Sequence, residues 1–207
     1  MNNINTKTEE YVLLEDAASK NEVKSNVIME TPEITFINEA TADSKEYQIY
    51  QLFRKIASGD GSDTEEEEFF SSLKDMDWRI LFNIRIGTTD AASEIQGWLY
   101  SNDIRSEKYI KDLLKATKGL DGAMSEGYSG IVAKLFRQDK SLFIKCLGEM
   151  PEADMEQICF YVAYGCSYFD MEQISTDTKK MLDTEKLTKA EAAAINRLMY
   201  SFEHVFE

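Results

Sequence analysis

From Asp43 onward the apolar residues recur at three- and four-residue intervals, the spacing of a buried helical stripe; before Asp43 they do not. Tyr47, Tyr50, Leu52, Phe53 and Ile56 share one such stripe, opened by a capping-box-like Asp43 and Glu46 and closed by Gly59. Phe69, Phe70 and Leu73 carry a second, after an acidic loop whose Glu65–Glu68 run suits a helix N-terminus. Asp77 is placed to cap a helix over WRILFNIRI up to Gly87, and Thr89 or Asp90 to open another at AASEIQGWLY. Residues 104–118 read as the clearest amphipathic helix. Helices from about Ser125 to Arg137 and from Lys140 to Glu149 follow, and Pro151 suits the first turn of the apolar MEQICFYVAYG. A looser segment precedes a last helix capped by Thr188 and Glu191, with Ile195, Leu198, Phe202 and Val205 on one face.

Residues 1–42 lack that period and hold the strand signals of the chain. Between Asn26 and Asn38 the β-branched content is high, and Ile34 and Phe36 alternate around Thr35. This stretch is expected to dock, on the chain's own body or on a neighbour. The organisation predicted is an extended or disordered N-terminal arm over 1–42, then a single all-α domain over 43–207. Short helices in antiparallel neighbours imply an irregular bundle or short helical array of about seven to nine helices.

An internal duplication is one reading of the helical part. Leu52-Phe53-Arg54 recurs as Leu135-Phe136-Arg137, and Phe70-x-x-Leu73-x-x-Met76 as Ile144-x-x-Leu147-x-x-Met150. Each pair is followed by an apolar stretch ending at Ile86-Gly87 or Tyr164-Gly165. Helical sequences also generate such echoes by chance.

Composition narrows the function classes. A hydrophobic share of 43% over 207 residues is ordinary for a globular chain with a core of its own. The net charge of −15 disfavours non-specific binding to nucleic-acid backbones and favours a basic partner. That charge is uneven: residues 60–77 hold eight acids and one Lys, whereas residues 79–148 hold eleven bases and eight acids. Three cysteines, Cys146, Cys159 and Cys166, lie in apolar stretches with no CxxC pair, which reads as reduced core thiols of a cytoplasmic protein. The first 25 residues lack the apolar run of a secretory signal, and no stretch approaches the ~20 apolar residues of a membrane span. The mature part of an exported protein and a component of a viral particle are the alternative settings.

No catalytic, cofactor-binding or metal-ligating set is expected. The lone histidine, His204, sits near the C-terminus and reads as a helix-end residue rather than a general base. Gly122 to Ser129 imitates a phosphate loop, but Tyr128 stands where a lysine must reach the phosphates and no strand precedes. Asp60, Ser62, Thr64, Glu66 and Glu68 alternate like a calcium loop, yet its sixth position is Glu65 and its twelfth Ser71. Glu149, Glu152, Asp154 and Glu156 crowd one helix start, where the macrodipole accounts for them. Tyr161, Tyr164, Tyr168 and Phe169 form the densest aromatic cluster and read as core.

The candidate interaction residues are therefore Ile34 and Phe36 in the arm, and a basic stripe on the 104–118 helix. Arg105, Lys108, Lys111, Lys115 and Lys118 are spaced to share one face, balanced by the molecule's own acids or offered to an acidic partner. Three functions follow. The first is a non-enzymatic protein-binding or assembly subunit with a docking arm, its partner another protein or further copies of itself. The second is an acidic inhibitor or immunity-type protein that blocks a basic enzyme or mimics nucleic acid. The third is a carboxylate-based enzyme without a recognisable motif, whose signature would be converging acids of raised pKa in a deep cleft.

Overall fold

The computed structural model describes residues 34–36 by their backbone and residues 43–206 with side chains. Among these residues it is all-α apart from three short strands. Two short helices come first, α1 (Lys45–Ala57) and α2 (Asp63–Leu73). The one-turn α3 (Trp78–Phe82) runs into a hairpin of β2 (Ile84–Ile86) and β3 (Thr89–Asp90), to which β1 (Ile34–Phe36) adds antiparallel on the free side of β2. Then follow α4 (Ala91–Ser101), α5 (Glu107–Leu114), α6 (Gly122–Gln138), α7 (Lys140–Gly148), α8 (Glu152–Cys166), α9 (Met171–Thr184) and α10 (Lys189–His204). None of the described helices is long and apolar enough to cross a membrane.

Local chemistry sets most of the helix starts. Ser62 and Glu65 form a reciprocal capping box on α2, and Thr188 and Glu191 one on α10. The side chains of Asp77, Asp90, Asp139 and Asp170 accept first-turn amide hydrogens of α3, α4, α7 and α9. At α1 the cap is Ser44, not Asp43. Glu46 is buried there and turns away from its own helix to accept the Asp77 amide at 3.1 Å, so it joins two helix starts instead of closing one.

The residues 77–87 do not form the single helix expected of them. α3 stops at Asn83, because Ile84 and Ile86 find a strand partner in β1 and the two-residue turn Gly87-Thr88 folds β3 back on them. Arg85 lies 3.7 Å from Asp90 across the hairpin. Strand signal is thus present in the helical body as well as in the arm. The remainder of the arm lies outside the described residues.

The helix expected over 104–118 is also shorter, confined to Glu107–Leu114. Trp78 accounts for its end: its indole N–H donates to the Ala116 carbonyl at 2.7 Å, and its backbone N–H to the Lys118 carbonyl at 3.1 Å. Those carbonyls are turned out of any helical ladder. Gly119, at φ +79°, completes the exit, and a side chain there would stand 2.0 Å from an Asp77 carboxylate oxygen.

The looser segment after α8 is helical too. α9 buries Ile174, Thr178 and Met181, and the threonine on that face hides the stripe from a reading of apolar spacing. Its hydroxyl donates to the Ile174 carbonyl at 2.7 Å, which lets it be buried. With α3 and α9 the helix count reaches ten among the described residues.

Two blocks make the interior. In the first, Phe53, Phe69, Phe70 and Trp98 pack ring against ring between α1, α2 and α4, and Tyr109 of α5 stacks on Phe70 at 4.0 Å. In the second, α6 lies between α4 and α8, and α10 covers α8 and α7. The α6–α8 crossing is close because α8 offers Gly165 to it; a Cβ there would sit 2.1 Å from the Ser129 carbonyl oxygen. The three thiols are buried in this second block, and burial lifts them: Cys146 and Cys166 to about 11, Cys159 to about 12.

The two sequence echoes fall on α1 and α6, and on α2 and α7 with the residues just after them. The proposed repeat parts at the third helix, where α3 is five residues and a strand while α8 is a fifteen-residue helix.

Candidate functional site

On α8 the inward stripe is Ile158, Val162 and Cys166, each fully buried. Phe160, Tyr164 and Tyr168 recur at intervals of four on another face, so they line up along the helix and its C-terminal turn. They form a continuous ridge: Phe160 to Tyr164 with ring centroids 6.5 Å apart, Tyr164 to Tyr168 at 5.9 Å, and the Tyr168 hydroxyl donating to that of Tyr164 at 3.3 Å. Phe160 is 48% exposed and Tyr168 70%. Tyr161, by contrast, is buried edge-on against Tyr128 at 5.3 Å. The aromatic cluster expected to be core is therefore divided by helix phase into a buried ring and an exposed ridge.

α10 supplies the facing wall. Tyr200 is 54% exposed and stacks on His204 at 4.1 Å, while the His204 Nδ1 lies 2.7 Å from the Tyr200 carbonyl. Between the helices runs a groove of about 510 Å³ lined by Ser125, Gln157, Phe160, Tyr161, Arg197 and Tyr200, with Glu156, Ser201 and His204. Arg197 sits over the first turns of α8, 3.5 Å from Glu152 and 3.4 Å from Glu156. Glu126 approaches from α6. The Tyr164 phenol is held above its ordinary pKa chiefly by its contact with Tyr168, and Glu126 adds to that as a nearby negative charge. Glu156 and Arg197 line the groove itself, and with Glu152 beside Arg197 and Glu126 near Tyr164 three carboxylates and one guanidinium stand around the groove and its ridge.

Two other concave places hold ion pairs and hydrogen bonds of their own. In the α1–α2 groove, Lys55 holds Glu65 at 3.1 Å and Lys45 bonds the Asp75 carbonyl. Beside Trp98, the Tyr50 hydroxyl donates to Glu94 at 2.7 Å and accepts from Arg54 at 3.2 Å, and burial first, then Glu94, lifts that phenol to about 12. Among the described residues no group of three His, Cys, Asp or Glu side chains is placed to hold a metal ion. The Gly122–Ser129 stretch forms the first turns of α6, with the Tyr128 hydroxyl buried and donating to the Leu113 carbonyl.

The basic stripe does not stand on one helix face. Arg105 precedes α5 and pairs with Asp103 at 2.7 Å. Lys108 reaches Glu67 at 2.8 Å, and Lys111 bridges Glu107 and Glu149, each at 2.6 Å. Lys115 is the exposed C-cap residue, and Lys118 lies beyond it, 3.7 Å from Asp77. Four of the five cations thus answer acids of their own chain. Ile34 and Phe36 belong to β1, in register with Ile86 and Ile84. The basic residues do not line the α8–α10 groove, whose signal in the sequence was the four-residue spacing of Phe160, Tyr164 and Tyr168 out of phase with the Ile158–Val162–Cys166 stripe. No protein-family model, curated protein or solved structure matches the chain.

Proposed function

We propose that this chain is a non-enzymatic protein-binding protein, a subunit of a larger assembly, and that the α8–α10 face is where it is held. One observation carries the reading. Of seven large hydrophobic side chains exposed among the described residues, Phe160, Tyr168, Phe169, Tyr200 and Phe206 belong to α8, α10 or the turns that end them. Scattered exposed aromatics need no explanation, but five concentrated on two adjacent helices and their end turns, with Phe160 and Tyr200 lining one groove, offer an anchor surface of the kind that dominates interfaces. The carboxyls of Asp77, Glu107 and Asp177 support the non-enzymatic reading, since hydrogen-bond donors hold them below the usual range, opposite to a general acid. A cytoplasmic setting goes with three buried thiols. In this reading the described part of the arm serves the chain's own sheet through β1.

The second reading, an acidic inhibitor of a basic enzyme, draws on the carboxylate rim of the same groove and differs in stoichiometry: one-to-one rather than a repeated contact.

The test is photo-crosslinking in native extract, with a benzophenone amino acid replacing Tyr168 or, as a control, the exposed Lys74 on the other block. A discrete protein adduct from position 168, lost when Phe160 and Tyr200 are also made alanine, is the expected result. Equal adducts from both positions, or none from either, would overturn the proposal.

A further inference from the structure

Exposed rings on this molecule fall into two sets. Phe82 has the Arg85 guanidinium 4.6 Å from its centroid, Tyr100 has the Lys134 ammonium at 6.0 Å, and Phe169 has Arg137 at 3.5 Å. Among the described residues the chain thus covers three of seven exposed large aromatics with its own cations. Among the described residues the others, Phe160, Tyr168, Tyr200 and Phe206, carry no such cation, and the first three form the α8–α10 face. The one guanidinium in the groove, Arg197, is directed at Glu152 and Glu156.

We infer that the occupant of the α8–α10 groove is a cationic protein segment that lays Lys or Arg side chains on the Phe160, Tyr168 and Tyr200 faces, and not a second copy of this chain. The inference rests on the protein-binding reading above and names the partner's chemistry. Aromatic faces attract cations through the ring quadrupole, the more so where carboxylates add a negative potential. Glu156 in the groove, Glu152 beside Arg197 and Glu126 near Tyr164 supply that potential, offset in part by Arg197. A second copy would bring the same three carboxylates against them, on a chain of net charge −15, and like charges facing each other across an interface oppose it. A Lys- or Arg-bearing segment meets the rings and the rim together, its apolar side chains lying along the ridge.

Fluorescence anisotropy on the full chain tests this with two labelled peptides, one of alternating lysine and leucine and the other with glutamine for each lysine. The lysine peptide is expected to bind, weakening about tenfold or more between about 0.05 and 0.5 M salt. Tyr168→Leu, which keeps apolar area but removes the ring, is expected to weaken it about two- to fivefold, with Tyr168→Phe restoring it. Circular dichroism and an unchanged melting temperature verify that each variant is folded. Equal affinity for the glutamine peptide, or binding of neither, overturns the cationic inference while leaving the crosslinking result to decide the broader reading. Light scattering that shows a dimer of the wild type lost in Tyr168→Ala overturns it in favour of self-association.

Discussion

Two aromatic clusters in this protein have nearly the same chemistry and opposite fates. Phe53, Phe69, Phe70 and Trp98 meet between α1, α2 and α4, where every ring has aromatic neighbours and Phe69 and Phe70 are closed to solvent. Phe160, Tyr164 and Tyr168 touch along a ridge on α8 and its end turn, and Tyr200 faces them from α10; Phe160, Tyr168 and Tyr200 stay exposed among the described residues. The first cluster comes from three helices that converge, so Phe53, Phe69 and Phe70 are buried and Trp98 is partly covered. The second comes from the outer face of one helix and its neighbour, so its rings are ordered without being covered. Aromatic density is not the distinguishing property; convergence is.

The sharpest way to break that comparison is to truncate one ring from each cluster. Phe69→Ala should cost about 3–5 kcal/mol, the lost transfer energy plus the cavity left among Phe53, Phe70 and Trp98. Tyr168→Ala should stay within about 0.5 kcal/mol, because its ring is 70% exposed. Urea denaturation of both variants measures the contrast. Similar losses would mean that the ridge is structural, and the reading of the α8–α10 face would fall with it.

The sequence made the helical class, several caps and the buried halves of most helices legible, because period and capping residues act within one or two turns. Asp77, Asp90, Thr188 and Glu191 stand at helix starts as their chemistry requires. What it hid depends on distant partners. Ile84 and Ile86 become a strand because β1, some fifty residues earlier, pairs with them. α5 ends early because Trp78 takes the Ala116 and Lys118 carbonyls. The basic stripe dissolves into ion pairs for the same reason: Glu67, Asp77 and Glu149 are remote in sequence and adjacent in space. The groove was half legible. Its ridge spacing is visible on α8, but Tyr200 and His204 join it only through the packing of α10.

A smaller effect sharpens the comparison by asking what holds α8 in place. Gly165→Ala puts a methyl group 2.1 Å from the Ser129 carbonyl and 2.7 Å from the Ala133 Cβ, so α8 must shift off α6. Overpacking of this kind costs about 1–3 kcal/mol. Of the helices that carry the aromatic block, α4 packs on α6, whereas α1 and α2 pack on each other. Hydrogen exchange should therefore speed up in α6, α8 and α10 before it does in α1 and α2; uniform acceleration would mean that the two blocks open as one unit.

The smallest effect concerns the tie between the blocks. Glu107, in the first turn of α5, accepts from Lys111 and from Lys145 of α7, each at 2.6 Å, and those two ammonium groups hold its carboxyl down at about 2 against an ordinary 4.5. A carboxyl depressed on folding gives stability that is complete above the unfolded value and disappears as pH falls through the folded one. The stability gap between wild type and Glu107→Gln should therefore be open at pH 7, close between about pH 4.5 and 2, and shrink in high salt because the side chains are partly exposed. The helix dipole of α5 contributes through the same carboxylate, so this substitution alone does not separate the two. Lys145→Gln does. It leaves the carboxylate and its place in α5 untouched and removes only the contact from α7, so the Glu107 titration, followed by carboxyl NMR, should move up toward its ordinary value. If it stays near 2, Lys111 on the same helix suffices, and the charge pair does not join α5 to α7.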